Sequence, residues 1–237
     1  MPSPLDNRLK AALDSRASRQ MLRQLDPAPP AASDLVDFSS NDYLSFARSP
    51  LLRQKLVDAL VSAEALPLYG PPSSRLLDGN TPLHASLEHR LAAFFAAPSA
   101  LLFNSGFDAN VGLWTCLPAP DDWIVFDELV HASMHDGMRA SRVPSERRRA
   151  FRHNRAESLE QVLLDIIERD EGVRAGSKSV WLGVESLYSM DGDLAPLRDM
   201  VDVIDRLLPR GNVHMVVDEV RSLSSSLLLL ARSSGPR

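Results

Sequence analysis

Hydrophobic and polar positions along this chain repeat with two different periods, and the switches between them mark out its elements. Short runs rich in β-branched and aromatic residues, at 123–126, 150–151, 180–184 and 213–217, read as buried strands of a parallel sheet. Before and between them, apolar residues recur three and four apart, as in Leu83, Leu87, Leu91 and Phe94, and helices are predicted at 107–116, 131–141, 158–170 and 194–208. Thr81 and Pro82 supply a cap and a first helical residue to the clearest helix. Nearer the start, the pattern predicts helices at 7–25 and 50–63, a linker at Pro27–Pro30, a short strand at 37–44 and a buried strand at 100–103. Residues 66–80 carry Gly70 and Gly79 and little periodicity, as expected of a functional loop. Strand and crossover alternate about five times, which predicts an α/β fold with a three-layer, mainly parallel sheet.

Composition sets limits on this picture. At 237 residues, 44% hydrophobic and 24% charged, the chain suits one large domain or one and a half. A net charge of -5 argues against a nucleic-acid partner. The single cysteine, Cys116, excludes an intramolecular disulfide, fits a reducing compartment and reads as a core residue of an apolar helix. No basic-then-apolar leader follows Met1 and no apolar run is long enough for a bilayer, so no membrane is expected and the expected location is cytoplasmic.

The candidate chemistry lies at the ends of the strands. Asn104-Ser105-Gly106, Asp127-Glu128, Glu185-Ser186 and Asp218-Glu219 each follow an apolar run, and in a parallel sheet such ends share one edge. Asp218, closing a buried run, needs a partner from upstream or from a cofactor. Ser105-Gly106 reads equally as a tight turn or as a helix start whose N–H groups take a phosphate. His131 and His135 have the spacing of two metal ligands, but no glutamate follows the first and no third ligand is indicated, so no metal site is expected. Arg147–Arg149 reads as a solvated face. Neither G-x-G-x-x-G after the first strand nor G-x-x-x-x-G-K-[ST] occurs, and Asn104-Ser105-Gly106 is not a G-x-S-x-G elbow.

Six ordered stretches carry a resemblance: FSSNDYL at 38–44, SRLLDG at 74–79, LFNSGFDAN at 102–110, DELVHAS at 127–133, ESLYSMDGD at 185–193 and VVDE at 216–219. Together they resemble the α-oxoamine synthases, which have the type I aminotransferase fold and depend on pyridoxal 5'-phosphate (PLP). The resemblance implies a decarboxylative condensation of an amino acid with an acyl-CoA in a homodimer, with PLP as electron sink. It also implies roles for individual residues. Asp218 would pair with the pyridine nitrogen and His131 would stack on the ring. Ser105, Gly106 and Phe107 would form the turn beside the cofactor, and Glu185 and Ser189 would line the pocket. Arg23, Asn41, Ser74 and His84 match substrate-side positions.

The chain departs from that pattern after Glu219. The family continues Ala-His-Ser-x-Gly, whereas Val220-Arg221-Ser222-Leu223-Ser224 stands here. The lysine that would anchor PLP covalently has no counterpart among Lys10, Lys55 and Lys178, so PLP binding is expected to be non-covalent at best. The expected organisation is an N-terminal helix and linker at 1–35, an incomplete PLP-binding large domain at 36–219 and an aberrant low-complexity tail at 220–237. Two readings follow: an acyltransferase of this family by descent, or a catalytically inert, truncated PLP-fold fragment that either partners an intact subunit or is simply unstable.

Overall fold

The computed structural model describes residues 2–23, 36, 38, 40–42, 44–62 and 70–220. They fall into two compact units, Met1–Gly70 and Pro71–Arg237. In the first, helix α1 (Pro4–Ser18) opens with a capping box between Ser3 and Asp6 and buries none of its residues. It stops at residue 18 rather than 25 because Gln20 turns to φ 57°, and the Met21 N–H closes back on the Arg16 carbonyl at 2.9 Å. The whole linker at 27–30, residues 37, 39 and 43 of the expected strand, residues 66–69 of the expected loop and residues 221–237 of the expected tail lie outside the described residues. What is described of that strand is a turn, where the Asp42 carboxylate accepts the N–H groups of Phe46 and Ala47 at 2.8 and 3.1 Å. Helix α2 (Pro50–Ser62) follows.

The second unit holds the sheet. Its elements are α3 (Pro82–Phe94), α4 (Gly106–Cys116), β1 (Trp123–Asp127), α5 (Ala132–Ala140), β2 (Arg148–Phe151), α6 (Ala156–Arg169), α7 (Glu171–Ala175), β3 (Val180–Glu185), α8 (Leu197–Leu207) and β4 (Val213–Asp218). The strands run in the order β2-β1-β3-β4, and all three pairings are parallel. Period-two alternation divides the core. Val125, Val180, Leu182 and Val184 join Leu159, Leu163 and Ile166 of α6 and Met200 of α8 on one face. Ile124 and, less buried, Phe126, Trp181 and Val216 meet Trp114 of α4 and Met134 and Met138 of α5 on the other. The result is the three-layer α/β architecture with a parallel sheet that the pattern predicts.

The structure corrects four local expectations. Residues 100–103 have no ladder partner among the described residues, and Leu101 and Phe103 are 66% and 47% exposed; the Leu102 N–H is held instead by Glu88 at 2.8 Å. β4 is half-buried rather than buried, because it lies at the end of the strand order and among the described residues has β3 as its single neighbour. Cys116, at the end of α4, is exposed rather than core. The Arg147–Arg149 run is only partly exposed: Arg147 pairs with Asp170 at 2.8 Å, and the guanidinium groups of Arg147 and Arg149 lie 5.2 and 5.6 Å from the centre of the Trp123 ring. At this pole, where β1 and β3 start, Asp170 accepts from Trp123 Nε1, Arg147 and Lys178.

Candidate functional site

The opposite pole, where the parallel strands end, gathers most of the expected site residues. Glu185 and Asp218 are register partners at the ends of β3 and β4, and the Ser186 N–H extends the ladder to the Asp218 carbonyl at 3.1 Å. Both share strand parity with Gly183 and Val216, which places them on the α4/α5 face. Asp127 shares parity with Val125 and belongs to the other face, so the strand-end acids divide between two sides of the sheet.

Asp218 has a partner from upstream. Asn110 of α4 donates from Nδ2 to Asp218 Oδ2 at 2.7 Å and to Ser133 Oγ at 3.0 Å. Ser133 Oγ lies 2.7 Å from His131 Nδ1, and the Ser133 N–H also points at that nitrogen, at 3.2 Å. The donor inventory fixes the sense of this chain. Both Asn110 N–H bonds are used, the Ser133 hydroxyl donates onward, and His131 Nδ1 accepts twice, which leaves the imidazole proton on Nε2. The other Asp218 oxygen accepts the Val220 N–H at 3.0 Å. Four residues from three elements thus form one connected line: carboxylate, amide, hydroxyl, imidazole.

Local folding sets each end of the line. His131 is the N-cap of α5, exposed, with its ring edge-on to Phe107 at 6.3 Å between centres. Ser105 is the N-cap of α4: its Oγ accepts the Asp108 N–H at 3.0 Å and lies 2.9 Å from Asp108 Oδ2. The first turn of α4 therefore presents its N–H groups at the same pole. A Cβ on Gly106 would come within 2.8 Å of Val220 Cγ2, so a side chain there would have to displace that methyl group.

The remaining candidates are more scattered. Glu185 is 5% exposed, and its N–H donates to the Tyr188 hydroxyl at 3.3 Å. Ser189 is half-buried in the turn that follows. Ser74 serves a turn through its carbonyl, which accepts from Leu77 and Gly79. His84 sits in the first turn of α3, its Nδ1 at 2.8 Å from the capping Thr81 hydroxyl. Among the described residues, no hydrogen bond or ring contact joins Ser74 or His84 to the His131–Asp218 line. Between them, Arg75 and Glu88 form a bidentate pair at 2.6 and 2.8 Å, and the Arg75 guanidinium holds the Glu88 carboxyl down at about 2. Arg23 and Asn41 belong to the first unit, where both are exposed. His135 packs edge-on against Phe126, and burial lowers its pKa. No group of three metal-ligating side chains occurs among the described residues.

Sequence reasoning missed Asn110 and Ser133, although both lie inside the quoted stretches. Asn110 is one helical turn beyond Gly106, and Ser133 is two residues past the His131 cap; neither spacing signals a hydrogen bond across 108 residues to Asp218. It also missed His153, whose Nδ1 and Nε2 lie 2.9 and 2.8 Å from carboxylates of Asp127 and Asp193.

Taken together, the pole offers a carboxylate acceptor, an exposed imidazole face and a helix N-terminus, features suited to a flat, protonated heterocycle bearing an anionic group. Comparison with known proteins agrees. Residues 33–220 match the family model described as aminotransferase class I and II. The chain is 45% identical over 221 residues to 8-amino-7-oxononanoate synthase of Emericella nidulans, covering 93% of this chain and 52% of that protein. It is 37% identical over 214 residues to aminoacyl transferase sphA of Byssochlamys spectabilis, covering 90% and 45%. Among solved structures, serine palmitoyltransferase of Sphingomonas wittichii superposes with a TM-score of 0.59 at 29% identity, over 73% of this chain and 38% of that one. The chain spans about half the length of the curated relatives it matches. No described helix is long and apolar enough to cross a membrane.

Proposed function

The chain belongs to the aminotransferase class I and II family, in its PLP-dependent α-oxoamine synthase branch, and on that premise we propose that the pole built on Asp218 and His131 is a PLP site. The whole protein would be an acyltransferase that condenses an amino acid with an acyl-CoA, with decarboxylation. The stretches 38–44 and 74–80 read most like those of 8-amino-7-oxononanoate synthases, which points to a biotin-biosynthetic substrate pair and a homodimer. The observation that carries the reading is the unbroken line from Asp218 through Asn110 and Ser133 to His131.

The residues present fit the group. Bound PLP supplies an electron sink for charge developing at the α-carbon of an amino acid. Asp218 would accept the pyridinium N–H and keep that proton in place, its carboxylate held in orientation by Asn110 and the Val220 N–H. His131 would lie against the ring, its plane fixed because Nδ1 already accepts from Ser133. The N–H groups opening α4, beside Ser105, Gly106 and Phe107, would meet the phosphate. Glu185 and Ser189 would close the wall beyond β3, while Arg23, Asn41, Ser74 and His84 would serve the substrates. Lys178 is bound by Asp170 at 3.0 Å, where β3 starts, away from the strand ends. That observation favours a second reading, in which these 237 residues hold the cofactor without catalysing.

The test is a PLP titration of the chain by absorbance and fluorescence. The wild type is expected to bind, and Asp218→Asn to weaken binding by about tenfold or more, as expected for the loss of a charge-assisted hydrogen bond. Wild-type affinity in both Asp218→Asn and His131→Ala would remove the site from this pole.

A further inference from the structure

A second cluster of charged groups lies close to this pole, and its position relates it to both walls of the site. His153 follows β2. Its Nδ1 is 2.9 Å from Asp127 Oδ1, and its Nε2 is 2.8 Å from Asp193 Oδ2. A neutral imidazole can donate from one nitrogen only, so both contacts are satisfied together only by the imidazolium. Asp127 is fully buried and already accepts the N–H groups of Leu129 and Asn154 at 2.9 and 2.8 Å, which keeps it an acceptor. Asn154 Nδ2 donates to the same Asp193 oxygen at 2.7 Å and lies 3.2 Å from His153 Nε2, which can accept from it only once that nitrogen has lost its proton.

The two carboxylates belong to different structures. Asp127 ends β1 and, through its bond to the Leu129 N–H, shapes the turn that delivers His131 to the cap of α5. Asp193 closes a hairpin pinned by the Leu187–Leu194 bridge, with the Tyr188 N–H on the Asp193 carbonyl at 3.0 Å and the Gly192 N–H on the Tyr188 carbonyl at 2.9 Å. Ser189 lies in that hairpin, and Gly192 gives it φ 72° at its tip. Other groups face His153 as well. Glu128 accepts its backbone N–H at 2.9 Å, and the Tyr188 ring meets the imidazole edge-on at 4.4 Å. Asp193 Oδ1 and Asn154 Oδ1 are buried acceptors with no hydrogen-bond donor among the described residues. Every ionisable neighbour named here is a carboxyl or a phenol, and the phenol is kept neutral, its pKa raised by burial and by Asp127.

We propose that His153, as an imidazolium donating to Asp127 and Asp193 at once, is a positioning residue that clamps the Leu187–Leu194 hairpin to the end of β1, so that PLP capture weakens as its proton is lost. The second half of this proposal rests on the PLP reading of the Asp218 pole; the first half does not. Burial alone would lower the His153 pKa, but the bonds to Asp127 and Asp193 raise it on balance. A folded-state value above the unfolded one contributes stability that is full below the unfolded value and is lost as pH rises through the folded value. The clamp therefore holds in mild acid and opens above the ordinary imidazole range.

The experiment uses the 237-residue chain. The His153 ring is titrated by NMR from about pH 5.5 to about 9, a range that brackets the ordinary imidazole value, while hydrogen-exchange protection at the Tyr188 and Gly192 amides and PLP affinity are followed. Protection is expected to fall by about tenfold for each unit by which hairpin closure raises the imidazole pKa, with PLP affinity falling alongside. His153→Gln should give protection that is low and flat with pH. Asp193→Asn, at the partly exposed end, should weaken the clamp without touching Asp127. A flat wild-type profile, a ring that titrates at or below the ordinary value, or wild-type pH behaviour in both variants would overturn the clamp. Hairpin opening with unchanged PLP affinity would overturn its link to the site. If the wild type binds no PLP but the amides behave as expected, the clamp stands and the cofactor reading falls.

Discussion

Asp170 shows how much one side chain can hold at the pole away from the candidate site. Burial alone would raise its pKa, but hydrogen bonds from Trp123, Arg147 and Lys178 keep the carboxyl well below the usual range. A depressed folded-state value contributes stability above the unfolded value and loses it as pH falls through the folded one. Asp170→Asn is therefore expected to lower stability near neutrality by about 3–5 kcal/mol, as breaking a buried pair does, and to flatten the acid limb of the stability curve below about pH 4. Urea unfolding at a series of pH values checks both. Such residues are the least legible from sequence. Asp218 and His131 were found because a strand end and a motif marked them. Asn110, Ser133, His153 and Asp170 each have a partner 23 to 108 residues away, and chain order carries no sign of such bonds.

At the scale of elements, the line from Asp218 to His131 depends on the close approach of α4 and α5. Gly137 makes that approach possible: a Cβ on it would lie 2.8 Å from Trp114 Cβ and 3.0 Å from the Asn110 carbonyl oxygen and Val111 Cα. Backbone contacts of this kind cannot swing aside, so Gly137→Ala should push α5 off α4. The expected loss is about 1–3 kcal/mol, with weaker PLP binding because Asn110 and Ser133 separate. Chemical denaturation and a PLP titration of the variant measure the two effects. The elements themselves were largely legible, because caps such as Thr81 and continuous apolar runs such as those at 123 and 180 are local signals. The expected strand at 100–103 shows the limit: an apolar run becomes a strand only where another backbone lies beside it, and pairing is not a local property.

At the scale of the whole chain, the three lysines bear on how PLP would be held. Lys10 and Lys55 are on exposed helices of the first unit, and Lys178 is locked to Asp170. Incubation with PLP followed by borohydride is expected to leave no stoichiometric label at any one lysine, read by intact mass and peptide mapping; a full equivalent on a single lysine would contradict this. Six motifs in order made the family legible without any structure, because each was written into a contiguous stretch. The Asn110–Asp218 bond closes the longest span of the site, joining α4, which precedes the described strands, to β4, the last of them. On a ribosome, where the chain emerges from its start and long loops close late, this 108-residue span is expected to close after the local contacts within α4 and α5 have formed. On the PLP reading of this pole, cofactor spectroscopy on nascent chains released at successive lengths is expected to report the docking of β4, and to stay silent on every chain that ends before Asp218.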